Sequence, residues 1–150
     1  QDPDVIVVGE AIDSDTIETA LQAAETGHLV ITSIHATDTV QVFDRILSLF
    51  TASQRDFICA RLSNSLRAII SQKLLPHKSG MGRVIATEVC TANLAVKRTI
   101  RNKDFIQLIS IMQTGAKYNM NIMQDSITKL FENGLISSET YEAYTSQAKE

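Results

Sequence analysis

Two short apolar runs, Val5–Val8 and His28–Ile34, enclose a helical pattern, and this alternation restricts the fold more than any other feature of the sequence. Val5-Ile6-Val7-Val8 is β-branched and wholly apolar, the pattern of a strand buried on both faces. After it, Ile17, Ala20, Leu21 and Ala24 recur at helical spacing, Asp15 with Glu18 three residues on forms a capping pattern, and Gly27 closes the helix. Strand, helix and strand within roughly 30 residues make a βαβ unit, with parallel strands and a right-handed crossover. Two parallel strands cannot cover both faces and both edges of their own sheet. Residue 1 is Gln rather than Met and falls just before the first strand, so the expectation is a portion of a longer protein.

Helix dominates beyond residue 36. Val40, Phe43, Ile46, Leu47 and Phe50 mark one helix; Ile58, Leu62, Leu66 and Ile69 mark the next. Gln72–Pro76 and Arg83–Val89 read as two strands joined by the turn Lys78-Ser79-Gly80-Met81-Gly82. Short helices follow, with stripes at Phe105, Leu108, Ile109 and Met112, then Met123, Ile127, Leu130 and Phe131. Gly134 stops the latter, and Ser137 or Ser138 starts the last helix.

Composition removes several classes of function. The chain has 44% hydrophobic and 21% charged residues, with six glycines and two prolines, so it is neither disordered nor fibrous. No apolar run approaches the roughly 20 residues of a membrane span. The net charge of −3 argues against a nucleic-acid coat or a basic membrane anchor. Lys97, Arg98, Arg101 and Lys103 cluster without interleaved aromatics, which favours a solvated helix face or a protein-partner surface over nucleic acid. Cys59 and Cys90 stand apart in apolar surroundings, as buried thiols in a reducing compartment do.

Ligands of open parallel sheets bind at the carboxyl ends of the strands. Glu10 follows the first strand across Gly9, and His35 follows the second, so parallel strands bring both to one sheet edge. By position alone, Glu10 reads equally well as an exposed loop carboxylate and His35 as a packed, buried imidazole. His28 begins the second strand, about 20 Å from His35 at ~3.3 Å per residue, which suits packing or a subunit contact. A zinc site of His28, His35 and His77 fails on spacing and has no carboxylate or thiolate company. No G-x-S-x-G supports a hydrolase triad. An apolar strand ending in an acid is the Walker B pattern, yet the phosphate loop G-x-x-x-x-G-K-[ST] is absent from all 150 residues.

Longer strings carry a resemblance. DPDVIVVGEAID at 2–13 and ALQAAETGHLVITSIHA at 20–36 resemble the Walker B and histidine boxes of the type II/IV secretion ATPase superfamily. Similarity to its PilT-type branch, the twitching-motility retraction ATPases, continues through FDRILSLF at 43–50, LSNSLRAIISQKLL at 62–75, GRVIATEV at 82–89, QTG at 113–115 and GLIS at 134–137. The resemblance implies an α/β fold: residues 1–90 as the C-terminal part of a RecA-like P-loop ATPase core without its Walker A loop, and 91–150 as a helical C-terminal subdomain. It implies a cytoplasmic homo-hexamer, peripheral at the inner membrane, that binds ATP and Mg2+, hydrolyses ATP and powers pilus retraction. An inner-membrane pilus platform protein and paralogous pilus ATPases are its implied partners. This chain alone, lacking the phosphate loop, is expected to be inactive.

Carried over by position, Glu10 is the Walker B acid, a catalytic and nucleotide-binding group that holds Mg2+ directly or through water. His35, near the γ-phosphate, is the second catalytic and nucleotide-binding residue, and His28 is its partner in the histidine box. Gln72 and Arg83 also fall on family-like positions, with no role that physical reasoning assigns. Two departures stand out. The family's G-E-M-R-D reads here Gly9-Glu10-Ala11-Ile12-Asp13, so a guanidinium beside the acidic site is missing while Asp13 is kept. The retraction helix A-I-R-N-L-I-R-E becomes Ala95-Val96-Lys97-Arg98-Thr99-Ile100-Arg101-Asn102, which retains basic residues including Arg98 and Arg101 but loses the terminal Glu. Two rival readings follow: a pilus-assembly or type II secretion motor of the same superfamily, disfavoured because its four-cysteine zinc insertion is absent, and a catalytically weak structural paralogue partnering an active motor.

Overall fold

A computed structural model describes residues 3–146, so Asp2, which opens the Walker B-like string, lies outside the described residues. The first half alternates as the sequence predicts: β1 (Val5–Val8), α1 (Ser14–Glu25), β2 (Leu29–Thr32), α2 (Thr39–Ser48) and α3 (Ala52–Ser65). A long hairpin, β3 (Ala68–Pro76) and β4 (Arg83–Thr91), comes next. It is followed by α4 (Leu94–Asn102), α5 (Gln107–Gln113), a 3-10 turn at Ala116–Tyr118, α6 (Met123–Glu132) and α7 (Ser138–Ser146). β1 and β2 pair in parallel, from Val5 opposite Leu29 to Val8 opposite Thr32, and β3 and β4 pair antiparallel along nine residue pairs.

The first sheet departs from the predicted two-sided burial. α1 covers only one face, where Ile6, Val8 and Val30 are half-buried; on the other, Val7 is 73% and Ile31 51% exposed. Only one helix of the βαβ unit packs on this ribbon among the described residues, which leaves every second side chain uncovered. The third predicted helix is also shorter than its apolar stripe. It ends at Ser65; Leu66 turns extended (φ −58°, ψ 135°), and Ile69 belongs to β3. Ile69 and Ile70 are β-branched, and the register with Cys90 and Val89 draws them into the hairpin.

Two apolar clusters hold the layers together. The larger joins Ile17 and Leu21 of α1, Phe43, Ile46 and Leu47 of α2, Ile58, Cys59 and Leu62 of α3, Cys90 of β4, and Val96, Ile100, Leu108 and Met112 of α4 and α5. Phe43 stacks on Phe105 with centroids 4.7 Å apart and planes 1° from parallel. The smaller packs Ile127 and Ile136 on the hairpin residues Leu75 and Ala86. The start of α6 also closes the outer edge of β4. The Val89 and Asn121 backbones exchange hydrogen bonds (2.9 and 3.1 Å), the Asn121 side-chain amide donates to the Thr87 carbonyl, and the Thr87 N–H donates to the Ser126 hydroxyl.

Glu88 ties these layers at one point. On β4 it is in phase with the inward residues Ala86 and Cys90 and is buried. Its Oε1 accepts the N–H of Thr39, the first residue of α2, at 2.8 Å, and its Oε2 accepts that of Met123, the first of α6, at 3.4 Å. Neither helix has enough side-chain acceptors of its own: Asp38 caps α2 through Gln41, and the α6 cap position is Ile122, which has none.

Two predictions come from this packing. A Cβ on the buried Gly115 would lie 2.7 Å from Met120 Sδ and 2.8 Å from the Ile111 carbonyl oxygen. Gly115→Ala should therefore lower stability by about 2 kcal/mol in urea unfolding, the usual cost of overpacking. Burial pushes the Cys90 thiol up to about 12, with the Glu88 charge adding to it, and burial also raises Cys59. Neither cysteine should then react with a disulfide reagent near pH 8 until the chain unfolds, the native rate being roughly a hundredfold lower or more.

Candidate functional site

Parallel, in-register pairing brings the exits of β1 and β2 to one edge. From β1 the chain passes through Gly9 to Glu10, and from β2 through Ser33 and Ile34 to His35. Two hydrogen bonds lash the exits together: Ala11 N–H donates to the Ser33 carbonyl at 3.0 Å, and the Ser33 hydroxyl to the Gly9 carbonyl at 2.6 Å. The Glu10 carboxylate and His35 imidazole consequently meet, with Nε2 2.9 Å from Oε1. His35 is not the packed imidazole that the sequence left open: its side chain is 86% exposed, and that of Glu10 39%. An exposed pair of this kind is worth at most about 1 kcal/mol. The geometry therefore comes from the backbone lashing, and the pair stays free to exchange its contact for one with a ligand.

His28 sits at the opposite end of β2. Its Nδ1 lies 3.0 Å from the Ala23 carbonyl oxygen and 3.1 Å from the Thr26 hydroxyl, at the C-terminus of α1. The fold does not bring it to Glu10 and His35.

The two replaced positions of the Walker B-like string separate sharply. Ala11 points into the core, whereas Ile12 is 60% exposed beside the candidate site. Asp13 proves to be the cap of α1, in place of the predicted Asp15: its Oδ1 accepts the Thr16 N–H at 2.8 Å. Asp15 is already inside the first turn, so the capping pattern begins two residues earlier than the Asp15–Glu18 spacing suggests. On α4, Arg101 donates to the Ser63 hydroxyl and the Asn64 amide oxygen of α3, and Lys103 pairs with Asp56. Arg98 is exposed, and it forms no ion pair among the described residues.

Surface clefts lie elsewhere. One of about 420 Å³ is lined by Leu66, Arg67, Thr91 and Tyr118 at the open end of the hairpin, and another lies between β1–β2 and α1. Neither includes Glu10 or His35, so the pair occupies an open edge. Among the described residues no three His, Cys, Asp or Glu side chains converge as a metal site. Sequence reasoning missed Glu88, the buried acid under the start of α2. Its one signal was an acid in phase with Ala86 and Cys90 on an otherwise apolar strand face.

An acid and a histidine meet at the carboxyl edge of a βαβ unit, the edge at which open parallel sheets take ligands, and the class is an α/β protein. The chain belongs to the type II/IV secretion system protein family, which it matches over residues 1–147. It is 45% identical over 139 residues to a twitching motility protein of Neisseria gonorrhoeae, covering 93% of this chain and 37% of that one. It is 40% identical over 139 residues to the type IV pilus retractation ATPase PilT of Pseudomonas aeruginosa, covering 93% and 40%. Its fold matches a crystal structure of the pilus retraction motor PilT with bound ADP at a TM-score of 0.83 and 41% identity, over 94% of this chain and 39% of that one. The chain thus spans about two fifths of the length of these relatives.

The Asp13 cap yields a prediction with a definite sign. Hydrogen bonds from Thr16 hold its carboxyl below the ordinary range. The stabilisation is complete above the ordinary carboxylate pKa of about 4 and is lost as pH falls through the lowered folded value. Asp13→Asn, which keeps an accepting oxygen without a charge, should unfold at lower urea than wild type near neutral pH. That gap should close as pH drops below about 4, whereas a gap that persists in acid would mean the charge is not its source.

Proposed function

We propose that this chain is the C-terminal portion of a motor ATPase of the pilus-retraction type, working as a homo-hexamer on the cytoplasmic face of the inner membrane. The observation that carries the reading is the contact between Glu10 and His35 at the shared strand edge, on a fold that matches a retraction motor crystallised with ADP. In the proposal, residues 1–90 complete an ATPase core whose phosphate loop comes from elsewhere in the protein, and residues 91–150 form its helical C-terminal part.

The donor set fits Mg-ATP. Glu10 offers a hard carboxylate oxygen beyond the one facing His35, and His35 presents an exposed ring that donates or accepts at Nε2. When bound, Mg-ATP supplies the phosphoanhydride and the cation that offsets its charge. Glu10 would hold the ion or one of its waters, and the exposed His35 ring, beside it on the same edge, would bind toward the γ-phosphate end. The work of these residues is electrostatic positioning, with no covalent step. His28, fixed at the far end of β2, serves the α1–β2 turn rather than the nucleotide. On α4, Arg101 secures the helix to α3 and Arg98 faces outward, a basic surface for the pilus platform protein or a paralogous ATPase.

A second reading has one observation in its favour. Ile12 is exposed beside Glu10 where the family pattern carries arginine, which suits a paralogue that assembles with an active motor without turning over ATP quickly.

Steady-state ATPase assays and native mass of the full-length protein separate the two. A hexamer whose Mg-dependent turnover falls roughly a hundredfold or more in both Glu10→Gln and His35→Ala supports the motor. A hexamer without turnover in the wild type supports the non-catalytic partner. Turnover unchanged in both variants would remove the site assignment.

A further inference from the structure

The buried carboxylate of Glu88 is not part of the Glu10–His35 edge, yet it controls where that edge leads. Three residues after His35 comes Asp38, the cap of α2, and the next residue, Thr39, is fully buried and donates its N–H to Glu88 Oε1 at 2.8 Å. The other oxygen takes the first N–H of α6 at 3.4 Å. Glu88 forms no ion pair among the described residues. Its charge is met instead by the first N–H groups and positive ends of two helices. A glutamine of equal size has one accepting oxygen and a donating amide, so it can bond only one helix start and must turn its NH2 toward the other.

We propose that Glu88 is a positioning residue for the His35 segment, and that it couples this segment to the start of α6. The carboxylate fixes the first turn of α2, so residues 33–38 are anchored at one end by the β2 lashing and at the other by Glu88. The same group fixes residues 121–126, which close the edge of β4 and carry α6 and, through Ile127 and Ile136, the hairpin-packed C-terminal cluster. A displacement of the His35 segment changes what Oε1 receives and thereby what Oε2 offers α6. The α6–α7 layer thus gains a physical route to the state of the site. The catalytic consequence rests on the ATPase reading above; the structural coupling does not.

Hydrogen–deuterium exchange on the full-length protein, wild type against Glu88→Gln, tests the coupling, with Glu88→Asp as a shortened control that keeps the charge. In the glutamine variant, amides at 36–42 or 121–127 should exchange roughly tenfold faster or more, as expected for one lost charge-assisted hydrogen bond. Amides of α3 should keep wild-type protection. Adding Mg2+ with a non-hydrolysable ATP analogue should protect both segments in the wild type but only 33–42 in the variant, and kcat should fall about tenfold or more with KM within about twofold.

Wild-type exchange in both segments of the glutamine variant overturns the proposal. So does uniform acceleration through α3, which would make Glu88 a general stability residue. If the wild-type protein binds no nucleotide, the ATPase reading fails, while local acceleration confined to the two segments still upholds the joint at Glu88. Local acceleration with unaltered kcat rejects the positioning role.

Discussion

A carboxylate removed from water costs several kcal/mol unless its charge is met, and the usual answer is an arginine or lysine. Here the answer is two helix N-termini. Glu88 accepts from Thr39 and Met123, so one charge settles donors that α2 and α6 would otherwise leave open. The arrangement ties much of the architecture together: β4 meets the starts of both helices, residues 121–126 cover the β4 edge, and α2 begins at Thr39, soon after the His35 segment. Apolar packing around Phe43, Ile58, Ile100 and Leu108 supplies bulk cohesion, but it carries no directional information of this kind.

The candidate site works by a different economy. Nothing buries Glu10 and His35, and the contact between them contributes little to folding. Their positions are inherited from the parallel ladder and from the two bonds that Ser33 makes across the strand exits. A ligand that replaces the Glu10–His35 contact therefore disrupts very little. The pair lies at the edge of a ribbon with one covered face and is open to solvent.

Much of this was legible in the residues. Short apolar runs, a glycine-containing turn and period-3.6 stripes located the βαβ unit, the hairpin and the late helices, and parallel strand ends were enough to set Glu10 with His35 and apart from His28. The errors share a physical cause, competition from tertiary context. Leu66 and Ile69 continue the helical stripe of α3, yet pairing with β4 takes Ile69 into a strand. Asp13 and Asp15 are both adequate caps, and the choice falls on the residue left in extended conformation (φ −136°, ψ 169°) after Ala11 enters the core. The apolar strand β1 reads as buried twice over, but burial depends on what lies opposite, which composition does not contain. The role of Glu88 was not legible beyond its phase with Ala86 and Cys90, because its partners are backbone N–H groups, which leave no mark in a sequence.

The span of the Glu88 bonds also bears on the order in which the molecule can assemble. β3 and β4 are joined by residues 77–82 alone, a short loop with Gly80 and Gly82 at positive φ, so the hairpin closes at low entropic cost. Thr39 and Met123 lie 49 and 35 residues from Glu88, and both loops must close before the carboxylate gains its second donor. Until then, desolvating it is unfavourable. Nucleation therefore belongs to local contacts such as the hairpin, and the three-way joint at Glu88 is among the last to lock, so it resists unfolding more than it speeds folding.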